Sequence, residues 1–141
     1  MKENIEKLRG RGLKVTPQRL AILEIFKRDR THPSAEKIYK KISGKYPGMS
    51  FATVYNTLSK LVETGEIQEL DIDPDKKRFD PYTPMHYHFY CKRCKKVYDI
   101  DYGGSFAPDI KKIRGHQIDS IQLNFKGVCE DCIHQRGGRR P

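Results

Sequence analysis

Ser50-Phe51-Ala52-Thr53-Val54-Tyr55-Asn56-Thr57-Leu58-Ser59-Lys60-Leu61-Val62-Glu63 is the stretch on which the fold turns. Ser50 has the side chain of a helix N-cap, and Val54, Leu58, Leu61 and Val62 recur at i, i+4, i+7 and i+8. Gly65 supplies the stop. The spacing therefore predicts a helix over residues 50–63 with one apolar stripe. Its other face carries Thr53, Asn56, Ser59 and Lys60, with Tyr55 to one side. Those groups can hydrogen-bond phosphates or base edges.

Upstream, Pro33-Ser34 opens another helix, with Glu36 in its first turn and Ile38 and Ile42 on one face; Gly44 and Pro47-Gly48 break it. Thr16-Pro17 opens an earlier one, because Thr16 can cap and Pro17 sits where its missing N–H costs nothing. Leu20, Ile22, Leu23 and Phe26 give that helix its apolar face. Downstream, Glu66-Ile67-Gln68-Glu69-Leu70, the turn Asp73-Pro74-Asp75 and Lys77-Arg78-Phe79 read as a hairpin. Three helices followed by a hairpin is the order of a winged helix, with residues 50–63 as recognition helix. The competing reading is a small helical domain with no nucleic-acid role.

Charge favours the first reading. The chain has a formal net charge of +10, and residues 1–60 carry 14 Lys/Arg against 5 Asp/Glu, a net of +9. Such a segment suits a polyanion, although a solvated basic face is the plainer alternative. No run of 18 apolar residues is present, which excludes a helical membrane span. The opening MKENIEKLRGRGLK is charged and helical in character, without the apolar core of a signal peptide. The expectation is a cytoplasmic protein.

The prolines of Pro81-Tyr82-Thr83-Pro84 make a stiff hinge. The sequence thus divides into a DNA-binding domain at 1–80, a hinge at 81–84, a second domain at 85–136 and a disordered tail at 137–141. Within the second domain, 86–90 and 96–100 read as strands, 106–114 as a helix and 118–125 as a longer strand. The fold class is α+β: an N-terminal winged helix, then a small α/β domain.

Cys91-Lys92-Arg93-Cys94 and Cys129-Glu130-Asp131-Cys132 are two C-x-x-C pairs that use every cysteine of the chain. In a reducing compartment disulfides are disfavoured. Each C-x-x-C turn brings two thiolates to one ion, and four thiolates make the closed, structural arrangement typical of zinc. Rubredoxin-like iron, an iron–sulfur centre and redox-active dithiols are the competitors.

His86-Tyr87-His88 places two imidazoles on one side of a strand. Asp80 lies just across the hinge, and Asp99 falls on the strand expected to pair with 86–90. These residues could converge as nitrogen and oxygen ligands, which suit iron(II) or manganese(II). Two partly exposed strand histidines would be the plainer reading.

The motifs GLKVTPQRLAIL (12–23), HPSAEKIY (32–39), SFATVYNTLSKL (50–61), RFD (78–80), HYHFYCKRC (86–94) and GVCEDC (127–132) together resemble the ferric uptake regulator family along nearly the whole chain. The resemblance implies a homodimer, paired through the second domain, that represses transcription on palindromic operator DNA when metal is bound. It also implies a regulatory site of His32, Asp80, His86, His88 and Asp99. His32 enters only in this way, since His-Pro-Ser by itself reads as a helix entry. The cysteines are all committed, which argues against a zinc-uptake regulator. Aspartate stands at 99, and Ile121 stands where iron-uptake members carry a histidine, so the peroxide-sensing branch is the most similar. That branch implies peroxide as the signal and His32 or His86 as the residue oxidised by way of bound iron(II). The alternative within the family is an iron-uptake or other metal-uptake repressor without peroxide sensing.

On these readings Lys14 and Arg19 are phosphate clamps, and Tyr55 with Thr53 and Asn56 reads base edges. Ser50 and Lys60 complete the DNA-binding set, and Lys76-Lys77-Arg78 of the wing would touch the backbone or a minor groove. A zinc-ribbon RNA-binding module and a non-haem metalloenzyme are the rival classes. The first leaves His86, His88 and the aspartates unexplained. The second leaves few open coordination positions, and no enzyme activity and no small-molecule substrate are expected.

Overall fold

Side-chain caps set the helix starts of the first half. In the computed structural model, which describes residues 1–100 and 112–135, the Thr16, Ser34 and Ser50 hydroxyls accept the backbone N–H of Arg19, Lys37 and Thr53. Each satisfies one of the amide groups that a first helical turn leaves over. The helices so opened are α2 (Pro17–Arg28), α3 (Ala35–Ser43) and α4 (Phe51–Glu63). An N-terminal α1 (Lys2–Gly10) precedes them, making four helices ahead of the hairpin where the sequence pattern gave three. Only Ile5 and Leu8 mark its apolar side, too few for periodicity to register, yet Leu8 is fully buried.

The chain divides into two compact units, 1–83 and 84–141. The first is held by an apolar core of Leu8, Ile22, Phe26, Ile38, Leu58 and Phe79 with their buried neighbours. Val54, Leu58 and Leu61 of α4 are wholly buried, while Thr53, Tyr55, Asn56 and Lys60 are exposed. The predicted two-faced helix is therefore present. Burial of such side chains stabilises by about 1.5–3 kcal/mol each.

The hairpin is β1 (Gln68–Leu70) and β2 (Arg78–Asp80), paired antiparallel with Glu69 opposite Phe79. It gains a third backbone partner from the segment before α3. Ser34 bridges to Arg78, and Phe79 N–H donates to Pro33 O at 3.1 Å. This pins residues 32–34 alongside β2.

In the second unit, β3 (Tyr87–Cys91) lies between β4 (Val97–Ile100), antiparallel, and β7 (Leu123–Gly127), parallel. The expected strand over 118–125 is displaced. Residues 118–122 carry no regular structure, and the strand runs on to Gly127, opposite Cys91. That register delivers Cys129 to the cysteine loop, which explains why alternation alone misplaces it. The expected helix over 106–114 does not reach 114. β5 (Lys112–Ile113) and β6 (His116–Gln117) form a hairpin across Arg114-Gly115, whose φ values of 49° and 83° suit a two-residue turn. The rest of that predicted helix, at 106–111, and the tail at 137–141 lie outside the described residues. A short α5 (Glu130–His134) follows Cys129. Among the described residues, no helix is long and apolar enough to cross a membrane.

Candidate metal centres and nucleic-acid face

Cys91 ends β3, Cys94 closes the turn that follows, and Cys129 and Cys132 flank the first turn of α5. Their four sulfurs lie within 4.8 Å of one another. Cys91 Sγ is 3.8 Å from Cys132 Sγ, and Cys94 Sγ is 3.7 Å from Cys129 Sγ. A tetrahedron of sulfurs at about 2.3 Å from a zinc ion has edges of about 3.8 Å. A disulfide would need about 2.05 Å. The donor set fits a closed four-thiolate zinc.

The surrounding backbone is arranged for thiolates. Amides of Cys94 and Cys129 point at Cys91 Sγ at 3.5 and 3.3 Å. Burial pushes the Cys91 thiol up, but these N–H groups and that of Arg93 outweigh it and bring it down to about 6. Burial and the neighbouring sulfurs push Cys132 the other way, up to about 12. Four thiolates so close resist ionising together, and a divalent cation relieves that repulsion. Tyr98 hydrogen-bonds to Cys129, a partner that spacing could not have revealed. Lys95 takes a left-handed φ of 65°, which turns the chain back so that Cys91 N–H meets Lys96 O.

Of the histidines and aspartates, His32 and Asp80 belong to the first unit, and His86, His88 and Asp99 to the second. In the first unit His32 Nε2 stands 3.5 Å from Asp80 Oδ2, and both residues are buried. Asp80 Oδ1 accepts Tyr82 N–H at 2.8 Å, which turns the other oxygen toward the imidazole. His32 has a φ of 58°, unusual for a residue with a side chain. Just before it, Asp29 accepts from Thr31 N at 2.9 Å and from Lys37 and Lys41 at 3.0 and 2.7 Å. Burial works to raise the Asp29 pKa, but those donors outweigh it and hold the carboxyl well below the usual range.

In the second unit, register sets His88 opposite Asp99. His86 Nε2 and His88 Nε2 each lie 3.3 Å from Asp99 Oδ1, with ring centroids 4.3 Å apart. His86 Nδ1 is 2.7 Å from Pro84 O and donates to it, which leaves Nε2 as the ring nitrogen that faces Asp99. Two imidazole nitrogens around one carboxylate oxygen make a nitrogen–oxygen donor set, and the carbonyl behind His86 is the kind of outer partner that orients metal-bound imidazoles. His116, in β6, is exposed.

Of the residues expected to meet nucleic acid, Lys14, Arg19 and Thr53 line one groove of about 620 Å³. Lys45 lines it too, a cation that motif reading passed over. Arg19 Nη1 donates to Lys14 O at 2.8 Å, and Ser50 and Thr53 hydroxyls are 2.9 Å apart at the start of α4. Tyr55 and Asn56 stand exposed on α4, and Lys60 pairs with Glu63 at 3.1 Å. The wing departs from expectation at one residue. Arg78 does not point out toward a nucleic acid: its guanidinium is spent inward, on Asp73 at 2.9 Å and on His32 O at 3.3 Å. Asp73 is buried, and a buried carboxylate claims the nearest guanidinium.

The sequence profile of the ferric uptake regulator family matches residues 10–126. The chain belongs to that family. Members are metal-dependent transcriptional repressors, and this chain is 39% identical over 136 residues to the peroxide operon regulator of Bacillus subtilis, covering 94% of this chain and 92% of that one. It is 35% identical to the peroxide-responsive repressor PerR of Staphylococcus aureus, over 94% of this chain and 90% of the relative. Among solved structures, the Campylobacter jejuni peroxide stress regulator is 30% identical with a TM-score of 0.68, covering 91% of this chain and 98% of that one. The Vibrio cholerae ferric uptake regulator is 29% identical with a TM-score of 0.67, over 89% and 99%.

Proposed function

We propose that the chain is a peroxide-responsive repressor that binds palindromic operator DNA as a homodimer. The observation that carries the reading is the all-nitrogen-and-oxygen character of both groups: His32 with Asp80, and His86 and His88 sharing Asp99. In this reading the five residues together hold one regulatory iron(II) or manganese(II), apart from the zinc of the four cysteines. The nearness to peroxide regulators among the curated relatives supports it.

Bound iron(II) would supply cleavage of the O–O bond of hydrogen peroxide. His86, whose Nδ1 is committed to Pro84 O, presents Nε2 on the regulatory side, and His32 does so beside Asp80. Net, one peroxide oxygen would be inserted into a ring C–H bond of either imidazole and the other would leave as water, the ring giving up the two electrons that reduce the peroxide, and the oxygenated imidazole is the weaker ligand. Because ligands come from both units, metal occupancy would govern whether two recognition helices of a dimer reach successive major grooves, about 34 Å apart. Loss of a ligand then releases DNA, and DNA reciprocally tightens metal binding. Arg19, Lys14 and Lys45 serve the phosphates, and Tyr55, Thr53 and Asn56 the base edges.

The test is peptide mass spectrometry of iron(II)-loaded protein after hydrogen peroxide, with operator binding followed by gel shift. The expected result is one added oxygen on His32 or His86 and loss of the shifted band. The manganese(II)-loaded protein should stay unmodified and bound. Intact histidines with oxidised cysteines would make the chain a thiol sensor. Intact side chains throughout, with DNA binding that follows iron concentration alone, would make it an iron-uptake repressor.

A further inference from the structure

His32 is held in its left-handed backbone from both sides. Asp29 fixes the turn before it through Thr31 N–H. Behind it stands Arg78, which donates from Nη1 to His32 O at 3.3 Å. Arg78 in turn is anchored by Asp73, with Nε and Nη2 at 3.0 and 2.9 Å from the same oxygen, Oδ2. The other Asp73 oxygen accepts Asp75 N–H at 2.9 Å, inside the turn that joins β1 to β2. The Asp73 side chain is only 1% exposed and that of Arg78 11%. A chain of bonds thus runs from the tip of the wing, through Asp73 and Arg78, to the carbonyl of His32, and every member lies in the first unit.

A non-glycine residue in the left-handed region is strained and persists only where its neighbours over-determine it. Relaxation of φ at His32 would swing the imidazole away from Asp80. We propose that Arg78, braced by Asp73, is a positioning residue of the regulatory metal site: it fixes the His32 backbone and ties the metal-binding state of His32 to the wing. This rests on the reading of His32 as a regulatory ligand. Arg78 touches no metal and acts through His32. Lysine would keep the charge but cannot span Asp73 and the carbonyl together, because its single ammonium lacks the forked geometry.

The experiment measures manganese(II) affinity of the full-length, zinc-containing protein by competition with a metal indicator. Arg78→Met should weaken binding about tenfold, the scale on which outer partners act on metal ligands, and Arg78→Lys should fall between it and the parent. The deciding arm is a double-mutant cycle with His32→Ala. Once His32 is gone, Arg78→Met should add no further loss. A loss that persists undiminished would mean that Arg78 supports the fold generally, and the proposal fails. If Arg78→Met does not fold, Asp73→Asn takes its place in the same cycle. A second readout is hydrogen exchange at the Asp75 amide, which manganese(II) should slow in the parent and not in the variant. If His32→Ala weakens binding while Arg78→Met and Asp73→Asn do not, this inference alone is overturned. If His32→Ala leaves the affinity unchanged, His32 is no ligand, and the functional reading falls with it.

Discussion

The two units are stabilised by different means. In the first, Leu8, Ile22, Ile38, Leu58, Leu61 and Phe79 pack into one apolar core between four helices and the wing. In the second, the described buried cluster is the cysteine set itself, Cys91, Cys129 and Cys132, with Phe89, Cys94, Tyr98 and Val128 against it. Among the described residues, the first unit's buried cluster is aliphatic and aromatic, whereas the second unit's is built on the cysteines, with Tyr87, Tyr90 and Val97 buried as well. The contrast extends to the donors. One donor set is all sulfur, on Cys91, Cys94, Cys129 and Cys132, whereas the other is imidazole nitrogen and carboxylate oxygen. Small domains bury too little apolar surface to be robust unaided, and a bound metal ion supplies part of the difference.

The largest effect should come from removing zinc. Structural zinc contributes about 10–16 kcal/mol of apparent binding energy in small peptides. A strong chelator, or Cys132→Ser, should unfold the second unit and leave the first folded. Hydrogen exchange resolved by segment would show protection lost at β3, β4 and β7 and kept in α2 to α4. Loss of protection throughout would mean that the units do not stand separately.

Next in size is the reverse experiment. Leu58→Ala, in a fully buried position, should cost the first unit about 2–5 kcal/mol and leave zinc content unchanged. Thermal unfolding followed beside zinc release would separate the two transitions.

Asp29→Asn probes the His32 turn. The Asp29 carboxyl is held below its ordinary value, so its contribution is full above the normal carboxylate range and disappears as pH falls through the depressed value. The variant should therefore be less stable than the parent at neutral pH, with the gap narrowing in acid. Equal gaps at all pH values would mean that the ionised form is not what Lys37, Lys41 and Thr31 hold.

Smallest should be Ser50→Ala, which removes the cap of α4 and costs about 1 kcal/mol. Its effect belongs in the first unit's transition, with zinc content and the second unit untouched.

Much of this contrast is legible in the residues. The Thr16, Ser34 and Ser50 caps and the stripe through Val54, Leu58 and Leu61 announce the helices because capping and periodicity are local. The two C-x-x-C pairs announce zinc because each turn brings two sulfurs together without help from the rest of the chain. The His86, His88 and Asp99 group is nearly as plain, since i and i+2 share a strand face and Asp99 comes opposite through an antiparallel neighbour. The opening segment reads as helical in character, but its two apolar residues make no period and give α1 no bounds, and the strand at Leu123–Gly127 was misplaced because its register answers to Cys129.

What the sequence by itself determined, then, is the kind of elements and the kind of donors. Tertiary structure decided which distant residues meet. The pairing of His32 with Asp80 spans 48 positions and depends on the Pro33 and Ser34 backbone lying along β2, a contact that has no periodic signature. Arg78 reads from composition as a wing cation available to DNA, and only the burial of Asp73 beside it turns it inward. Local patterns follow from the geometry of one helix or strand. Contacts between elements depend on how the backbones pack, and that information is spread over the whole chain.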